Sequence, residues 1–217
     1  MSRVVLPKIP HHVTQRGVRS MNIFFDEGDQ KLYLRLMKEQ GERAGLEFLS
    51  YCLMDNHVHL IVIPKHESSL RQGIGEAHRL YTRSVNIRQN TRGYLFQGRF
   101  YSCPLDRVHL GEAARYVERN PVRANMCRKA EEYRWSSARF HTGKIRTDPL
   151  VSSSSWYGTA SDWKRFLKED SVELDQMRMA FRTGRPFGND KFIKKAEKIT
   201  GRVLKPKPPG RPKTSGK

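Results

Sequence analysis

Residues 47–63 read EFLSYCLMDNHVHLIVI, two apolar segments separated by the turn-forming residues Asp55 and Asn56. Aspartate and asparagine favour the sharp turns that join neighbouring strands, so the pattern predicts a β-hairpin with strands over 47–52 and 57–63. The second strand is apolar on both faces after its two histidines, which indicates a strand inside a sheet rather than at its edge. The hairpin is therefore expected at the centre of a sheet.

The chain on both sides of the hairpin alternates between strand and helix patterns. Strands are predicted over 9–18 and 98–105, and helices over 29–44, from about residue 68, and over 108–120. The resulting order, β-α-β-β-α-β-α, is that of ferredoxin-like and RNA-recognition-like sheets. We therefore predict an α+β fold, with helices packed against an antiparallel sheet and a helical, basic C-terminal extension.

The composition is strongly basic. The 217 residues include 41 Lys and Arg against 22 Asp and Glu, which gives a formal charge of +19. Such a surface binds polyanions through release of their condensed counterions, so nucleic acid is the expected partner. No apolar run approaches the ~20 residues of a membrane-spanning helix, and no membrane partner is expected. The cysteines are widely spaced, which predicts free thiols in the cytoplasm.

Changes in amino-acid composition along the sequence divide the chain into three parts. A domain is expected over 1–145, a helical extension that could bind DNA over 146–200, and a basic tail over 201–217. The tail is rich in proline and lysine and has too few apolar residues to form a core, so it is expected to be flexible when free.

The hairpin carries the first chemically informative group, His57-Val58-His59. Residues two apart on a strand face the same side, so both imidazoles can reach one metal ion. Polar rings at the start of a buried strand are costly unless they are hydrogen-bonded or metal-bound. The spacing alone leaves two interpretations open: a pair of metal ligands, or structural histidines satisfied by hydrogen bonds.

A second group lies on the helix predicted over 108–120. Its apolar stripe consists of Leu110, Ala113, Ala114 and Val117. Tyr116 and Asn120 are four residues apart on the flank of that stripe, so they project together. Pro121 disfavours helical geometry in the residue before it, which predicts that the helix ends at Asn120 and leaves the amide free to enter a site. For Tyr116 the alternative is an ordinary aromatic at the rim of the core.

Together these residues could form a metal-assisted nucleophilic site. A tyrosine hydroxyl is a weak nucleophile at its usual pKa of about 10, and it needs a base or a metal that polarises the phosphate it attacks. His57, His59 and Asn120 could bind such a metal through imidazole nitrogens and an amide oxygen. Mixed ligation of this kind suits Mn²⁺, and Mg²⁺ could serve with additional waters. The sequence has no G-x-x-x-x-G-K-[ST] loop, so no nucleotide cofactor is expected.

Several segments, taken in this order, resemble the HUH single-tyrosine transposases, and within them the REP-associated tyrosine transposases. The matching segments are PHHVTQRG at 10–17, IFF at 23–25, MDNHVHL at 54–60, FQGRF at 96–100, RYVERNPVRA at 115–124 and YRWSS at 133–137. Their joint occurrence is far more specific than any one of them. Val18, Asp55 and Phe96 depart from the usual family residues, in loops that could touch the DNA, but no chemical group is lost.

The resemblance implies that residues 1–145 form a HUH transposase catalytic domain. It implies that His57 and His59 are metal ligands, that Asn120 is the amide ligand, and that the metal is Mg²⁺ or Mn²⁺. Tyr116 would then be the nucleophile, forming a 5′-phosphotyrosine link and releasing a 3′-hydroxyl. The implied substrate is single-stranded or hairpin DNA such as repetitive extragenic palindromes. The implied setting is a bacterial cytoplasm, close to the nucleoid, with the protein as a monomer or homodimer.

Basic residues around this site are predicted to hold the DNA. The predicted contacts are Arg16, Arg71, Arg79, Arg83, Arg99, Arg123, Lys194, Lys195 and Arg211. A solvated helix face is the alternative for the arginines of the second helix, but the overall charge favours phosphate contact for some of them. Among the nearby aromatic residues, Tyr94 and Tyr101 are the expected platforms for unpaired bases, whereas Phe96 and Phe100 are expected to pack in the core.

The C-terminal part is predicted to contain helices over 171–181 and 189–199, with Asn189 as the N-cap of the second. The pair resembles a helix-turn-helix hairpin that could lie along duplex DNA, and docking onto the preceding domain is the alternative. Residues 209–213, PGRPK, resemble part of an AT-hook around Arg211, but a generic charged tail is the safer description.

Three functions agree with these residues. The leading one is DNA nicking and strand joining. Replication initiators and relaxases share this chemistry but carry further segments for which this chain has no room. A DNA- or RNA-binding regulator without catalysis is the alternative from another class. The intact set His57, His59, Tyr116 and Asn120 speaks against it.

Overall fold

The fold is built on one antiparallel sheet, and the computed structural model describes residues 3–152, 158–170 and 173–205. The strands are β1 (His11–Arg16), β2 (Leu46–Met54), β3 (His57–Pro64) and β4 (Tyr101–Pro104). They lie in the order β2-β3-β1-β4, and every neighbouring pair is antiparallel. The predicted hairpin is the β2–β3 pair, so the predicted ferredoxin-like sheet is confirmed.

Eight helices are described. They are α1 (Glu27–Ala44), α2 (Glu76–Arg88), α3 (Leu110–Glu118), α4 (Asn120–Arg123), α5 (Ala138–His141), α6 (Ala160–Phe166), α7 (Leu174–Thr183) and α8 (Asp190–Thr200). The longest, α1, is N-capped by Asp26, whose carboxylate accepts a hydrogen bond from the backbone N–H of Asp29, and is C-capped by Gly45 in the left-handed region. Within the described ranges, no helix is both long and apolar enough to cross a bilayer.

The sheet separates two apolar clusters. One side of β3 packs against α1 and α2. The other side, which includes Ile61, packs against α3 through the small side chains of Ala113 and Ala114. Because side chains alternate along a strand, His57 and His59 share the side of Ile61. The sheet therefore places both histidines on the same side as the helix that carries Tyr116.

One strand begins later than predicted, and one predicted helix contains an irregular turn. The strand predicted over 98–105 pairs only over Tyr101–Pro104, since Gly98 adopts a left-handed φ of 84° that interrupts extended backbone. The helix predicted from about residue 68 begins at residue 69 and passes through a wide π turn over Arg71–Gly75 before α2. Phe96 and Phe100 are buried as predicted, whereas Tyr94 and Tyr101 are 88% and 55% exposed.

The end of the third predicted helix differs from the prediction. Helix α3 stops at Glu118, two residues before the predicted end, and Asn120 begins the separate short helix α4. Pro121 explains the break and the restart, because proline interrupts a helix interior but is well tolerated in a first turn. The prediction that Asn120 leaves helical geometry was therefore wrong.

The C-terminal helices dock onto the domain, which was the alternative to a free DNA-binding hairpin. Helix α7 buries Met177 and Phe181 in the cluster on the α3 side of the sheet, and α8 buries Ala196 against the N-terminal segment. Asn189 caps α8 as predicted, accepting a hydrogen bond from the backbone of Phe192. Residues 171 and 172, and the PGRPK segment with Arg211, lie outside the described residues.

Candidate active site

The predicted site residues line one cavity of about 430 Å³ between the sheet, α3 and α7. Its lining includes His12, Thr14, Gln15, Arg16, His57, His59, Gln97, Tyr101, Tyr116, Asn120, Arg178, Phe181 and Arg182. Three arginines and no carboxylate stand among these described residues, so the cavity is suited to an anion. The fold thus brings together the four residues that sequence reasoning chose for the chemistry.

His57 and His59 lie on the same side of β3 with their ring centres 5.0 Å apart. His57 Nδ1 is 2.6 Å from the side-chain oxygen of Asn56. An amide oxygen only accepts, so Nδ1 carries the proton and Nε2 keeps its lone pair. Burial, followed by the charge of Arg16, lowers the pKa of His57 to about 4. The ring is therefore neutral at pH 7 and able to bind a metal.

His12 on β1 is the residue that sequence reasoning missed. Its Nε2 lies 2.8 Å from Nδ1 of His59, and burial lowers its pKa to about 3. Burial, and next the His12 ring, hold the pKa of His59 well below its usual range. Both rings are neutral, so one donates and the other accepts. If His59 donates, its Nε2 lone pair is free for a ligand, as it is in His57.

Tyr116 projects from α3 beside these rings. Its ring centre is 5.7 Å from that of His59, edge to face, and 5.2 Å from that of Phe181. Among the described residues none is hydrogen-bonded to the Tyr116 hydroxyl. The phenol is thus held by ring packing, and its oxygen is available to a reactant in the cavity.

The Arg123 side chain packs against Tyr116. Its guanidinium carbon lies 4.4 Å from the centre of the Tyr116 ring, and its Nη2 donates to the Tyr116 backbone carbonyl. Asp170 pairs with it at 3.0 Å. Burial lowers the pKa of Arg123, and Asp170 partly offsets this. The predicted DNA contact of Arg123 stays a prediction; the contacts seen are with the tyrosine.

Asn120 folds back on the end of α3. Its Nδ2 donates to the carbonyl oxygens of Tyr116 and Val117, at 3.2 and 3.3 Å. Those acceptors fix the amide orientation, because a carbonyl oxygen cannot accept from another oxygen that lacks a proton. The amide oxygen is therefore the atom that Asn120 could offer to a ligand in the cavity.

The atoms that His57, His59 and Asn120 could offer are chemically suitable ligands for a divalent metal ion. Two neutral imidazoles and an amide oxygen are borderline nitrogen and oxygen donors, which suits Mn²⁺ and, with waters, Mg²⁺. No group of three His, Cys, Asp or Glu side chains that could hold a metal occurs in the described part of the chain. Such an ion would therefore need the amide, the DNA phosphate or water to complete its ligands.

Helix α7 contributes a wall of the cavity. Arg178, Phe181 and Arg182 share one face of this helix at helical spacing, and all three line the cavity. Phe181 stacks on His12 with ring centres 3.7 Å apart. Sequence reasoning treated this helix as part of a DNA-binding extension, so its place beside the tyrosine was not foreseen.

The other predicted DNA contacts lie in different places. Arg71, Arg79 and Arg99 line a second cavity of about 470 Å³, together with the exposed Tyr94. Arg79 is already paired with Glu76 at 2.6 Å. Arg83 lies with Arg79 at a shallower cavity on α2, and the exposed Lys194 and Lys195 are on α8. Among the predicted DNA contacts that the structure describes, only Arg16 lines the cavity that holds Tyr116.

Comparison with known proteins identifies the family of the chain. The sequence profile of the IS200-like transposases matches residues 7–120. No curated protein matches the chain. A REP-associated tyrosine transposase bound to a REP hairpin superposes with a TM-score of 0.55 at 12% identity, covering 70% of this chain and 90% of the other. A protein assigned as a transposase from Deinococcus radiodurans R1 gives a TM-score of 0.38 at 16% identity, covering 58% and 91%, too low to bear on the fold.

The first of these structures has the same fold, with helices packed on a four-stranded antiparallel sheet. The profile match covers more than half of the chain and contains the two histidines, Tyr116 and Asn120. The resemblance seen in the sequence is confirmed at the level of the family, whose members are DNA-processing enzymes. The chain therefore belongs to the IS200-like transposase family.

Proposed function

We propose that the protein is a metal-dependent endonuclease and strand transferase that acts on single-stranded and hairpin DNA through Tyr116. One observation carries this proposal: the Tyr116 ring lies 5.7 Å from the ring of His59 in a cavity lined by arginines and by no described carboxylate. A nucleophile, candidate metal ligands and a field that attracts phosphate thus share one small space.

The proposed reaction is a transesterification. The Tyr116 oxygen attacks the scissile phosphorus, a new O–P bond forms, and the P–O3′ bond breaks. The upstream strand leaves with a 3′-hydroxyl after taking up a proton, and the downstream strand stays on the enzyme as a 5′-phosphotyrosine. The tyrosyl proton passes to solvent. Because the phosphodiester bond energy is kept in the adduct, an incoming 3′-hydroxyl can reverse the step without a nucleotide cofactor.

The chain's own groups have separate tasks in this reaction. His57, His59 and Asn120 would hold a divalent ion, Mg²⁺ or Mn²⁺. When bound, that ion would polarise the scissile phosphate. Arg123, lying over the Tyr116 ring, favours negative charge on the phenolic oxygen. Arg16, Arg178 and Arg182 are placed to neutralise phosphates that enter the cavity.

Hairpin DNA is the proposed substrate, bound by a monomer or homodimer near the bacterial nucleoid. The structural relative described above was solved on a REP hairpin, and this chain shares its fold. The charge of +19 supports DNA as the partner, because phosphate neutralisation supplies much of the affinity of such complexes.

A labelling experiment tests the nucleophile. Wild-type protein is incubated with Mn²⁺ and a hairpin oligonucleotide labelled at its 3′ end, because the downstream strand is the one that stays attached. The expected product is a labelled protein band that survives denaturation, together with an unlabelled strand ending in a 3′-hydroxyl. Tyr116→Phe should abolish the band and keep hairpin binding.

Tyr133→Phe is the matched control. Tyr133 is also partly buried, but its hydroxyl donates to the Leu53 carbonyl outside the cavity. This variant should still form the adduct. Hairpin binding by the wild type without any covalent product, over several hairpin sequences, would instead favour the alternative of a non-catalytic DNA- or RNA-binding regulator.

A further inference from the structure

A further cavity, of about 760 Å³ and distinct from the one lined by Arg71 and Arg79, adjoins the cavity that holds Tyr116. We call it the basic pocket, and its cationic lining consists of Arg3, Arg99, Arg185, Arg202 and Lys205. Gln97 and Tyr101 line both cavities, so the two are neighbours along the start of β4. The N-terminal segment, the loop between α7 and α8, and the segment after α8 form its walls.

The positive charge of the basic pocket is not neutralised from within. No Asp or Glu is found among its described lining residues. Lys205 pairs with Asp190 at 3.0 Å. The four arginines form no ion pair with any residue in the described ranges. Bringing like charges together raises the energy of the empty pocket, and binding an anion relieves that repulsion.

Two of these arginines are held in place by contacts that leave their charge uncompensated. The guanidinium of Arg3 lies over the Phe100 ring at 3.6 Å, and its Nε donates to the Phe100 carbonyl at 3.0 Å. Arg202 donates to the Arg3 carbonyl at 3.3 Å. Burial, and then the charge of Arg99, lower the pKa of Arg3. The cations are therefore arranged before any ligand arrives, which reduces the entropy lost on binding.

Tyr101 stands at the boundary between the two cavities with 55% of its surface exposed. An exposed aromatic ring beside a basic groove is the usual platform for an unpaired base. A duplex keeps its bases stacked on one another, so a ring in this position favours a single strand. The basic pocket thus offers sites for phosphates, and Tyr101 beside it offers a site for an unpaired base.

We infer that the basic pocket binds the phosphates of single-stranded DNA that continues from the Tyr116 cavity past Tyr101, beyond the foot of the hairpin. This inference rests on the proposed function, since it names a part of the substrate for the same site. It assigns DNA contact to Arg3, Arg185 and Arg202, and it assigns Arg99 to the single-stranded part of the substrate.

Binding assays on a cleavage-deficient background test the inference. All proteins carry Tyr116→Phe, and fluorescence anisotropy measures their affinity for a hairpin alone and for the same hairpin with an eight-nucleotide single-stranded extension at the 5′ or the 3′ end. The test variant is Arg99→Gln with Arg185→Gln. Neither side chain makes a hydrogen bond or ion pair within the described residues, so the fold should be retained, which thermal unfolding checks.

The test variant should bind one extended hairpin about 20-fold more weakly at 0.1 M salt and reduce the salt slope by about 1.4, as expected for two lost single-strand phosphate contacts. Its affinity for the plain hairpin should not change. The matched control is Arg35→Gln with Arg43→Gln, which removes the same charge from the exposed face of α1. The control should bind both DNAs as before.

Other results would overturn the inference. An equal loss on plain and extended hairpins, or an equal loss in the control, would show a general effect of charge. No loss on either extended hairpin would remove the pocket from the DNA path. Displacement of the extended hairpin by less than millimolar inorganic phosphate would identify a site for small anions instead.

The failure of the proposed function would look different. Extension-dependent binding that is lost in the test variant, without any adduct in the wild type, would leave the pocket standing while the catalytic proposal fails. Adduct formation without extension-dependent binding would support the catalytic proposal and contradict the inference about the basic pocket.

Discussion

The Nε2 atom of His12 and the Nδ1 atom of His59 are 2.8 Å apart, a hydrogen bond that joins neighbouring strands inside the candidate active site. Phe181 of α7 stacks on the face of the His12 ring, with the ring centres 3.7 Å apart. A partner at one ring nitrogen fixes both the tautomer and the orientation of the other, so His12 is placed to present His59 Nε2 to the cavity.

Replacing His12 with leucine should lower Mn²⁺ affinity by about 10- to 100-fold, because His59 loses the partner that orients it. His12→Gln should retain most of the affinity, since an amide can occupy the position of Nε2. Calorimetric titration of Mn²⁺ measures the effect independently of cleavage, and thermal unfolding checks the fold. Equal Mn²⁺ affinity in the wild type and the leucine variant would show that the contact has no part in metal binding.

Local periodicity was sufficient to predict part of this site. The two-residue alternation of a strand placed His57 with His59, and the four-residue spacing on a helix placed Tyr116 with Asn120. The sheet order followed from the sequence of strand and helix patterns, because short connections allow few arrangements.

Contacts between distant segments were not predictable in the same way. His12 meets His59 only because β1 pairs with β3 in a register that sets Thr14 opposite His59. Phe181 reaches the site only because α7 docks on the sheet, and the amphipathic pattern of α7 fits docking and duplex binding equally well. Choosing between such alternatives requires the packed structure, since both satisfy the same local pattern.

Arg123→Lys separates a positioning role from a DNA contact. Lysine keeps the charge but lacks the planar guanidinium that lies over the Tyr116 ring, 4.4 Å from its centre. A cation–π interaction is worth about 0.5–2 kcal/mol, so adduct formation should slow by about tenfold. Hairpin affinity should not change. Single-turnover rates and anisotropy measure the two quantities.

Arg128→Lys, at an exposed position that lines no described cavity, is the control for Arg123→Lys and should leave both quantities as they were. If Arg123→Lys instead weakens hairpin binding as much as it slows the adduct, the predicted phosphate contact would be the better explanation of this residue.

The buried carboxylate of Glu118 anchors helix α3 to the elements around it. Glu118 accepts hydrogen bonds from Ser137 Oγ, His141 Nδ1 and Trp163 Nε1, each at 2.6 Å, and from Ser50 Oγ at 3.1 Å. The groups come from β2, α5, α6 and the turn before α5, so one side chain ties several elements to the helix of Tyr116. Such a charge is tolerated in the interior because every contact is a donor.

The network predicts a pH-dependent stability. Burial disfavours the His141 imidazolium, but the Glu118 carboxylate outweighs burial and raises the pKa of His141 above its ordinary value. The resulting stabilisation is fully present below the unfolded pKa of about 6.5 and is lost as pH rises through the folded pKa. The excess stability of the wild type over His141→Gln should therefore shrink between pH 6 and pH 9.

Urea unfolding at each pH measures this difference, and a double-mutant cycle supplies the control. In a Glu118→Gln background, His141→Gln should cost nearly the same from pH 6 to pH 9, because the carboxylate that contributes most to raising the pKa of His141 is gone. A difference between wild type and His141→Gln that grows toward pH 9 would have the wrong sign and would contradict the proposed ion pair.

Two truncations distinguish the contribution of the basic tail to DNA binding from the contribution of the active site. Ending the chain at Lys205 removes Lys207, Arg211, Lys213 and Lys217 and leaves α7 in place. Each single-strand phosphate contact contributes about 0.7 to the salt slope, so the slope should fall by up to about 3 if all four cations bind DNA. Adduct formation at saturating hairpin should be unchanged, because no described wall of the Tyr116 cavity is lost.

Cutting before Arg178 would also remove Arg178, Phe181 and Arg182, so a loss of activity in that shorter chain would report on the cavity rather than on the tail. An unchanged salt slope in the chain that ends at Lys205 would exclude the tail as a DNA arm.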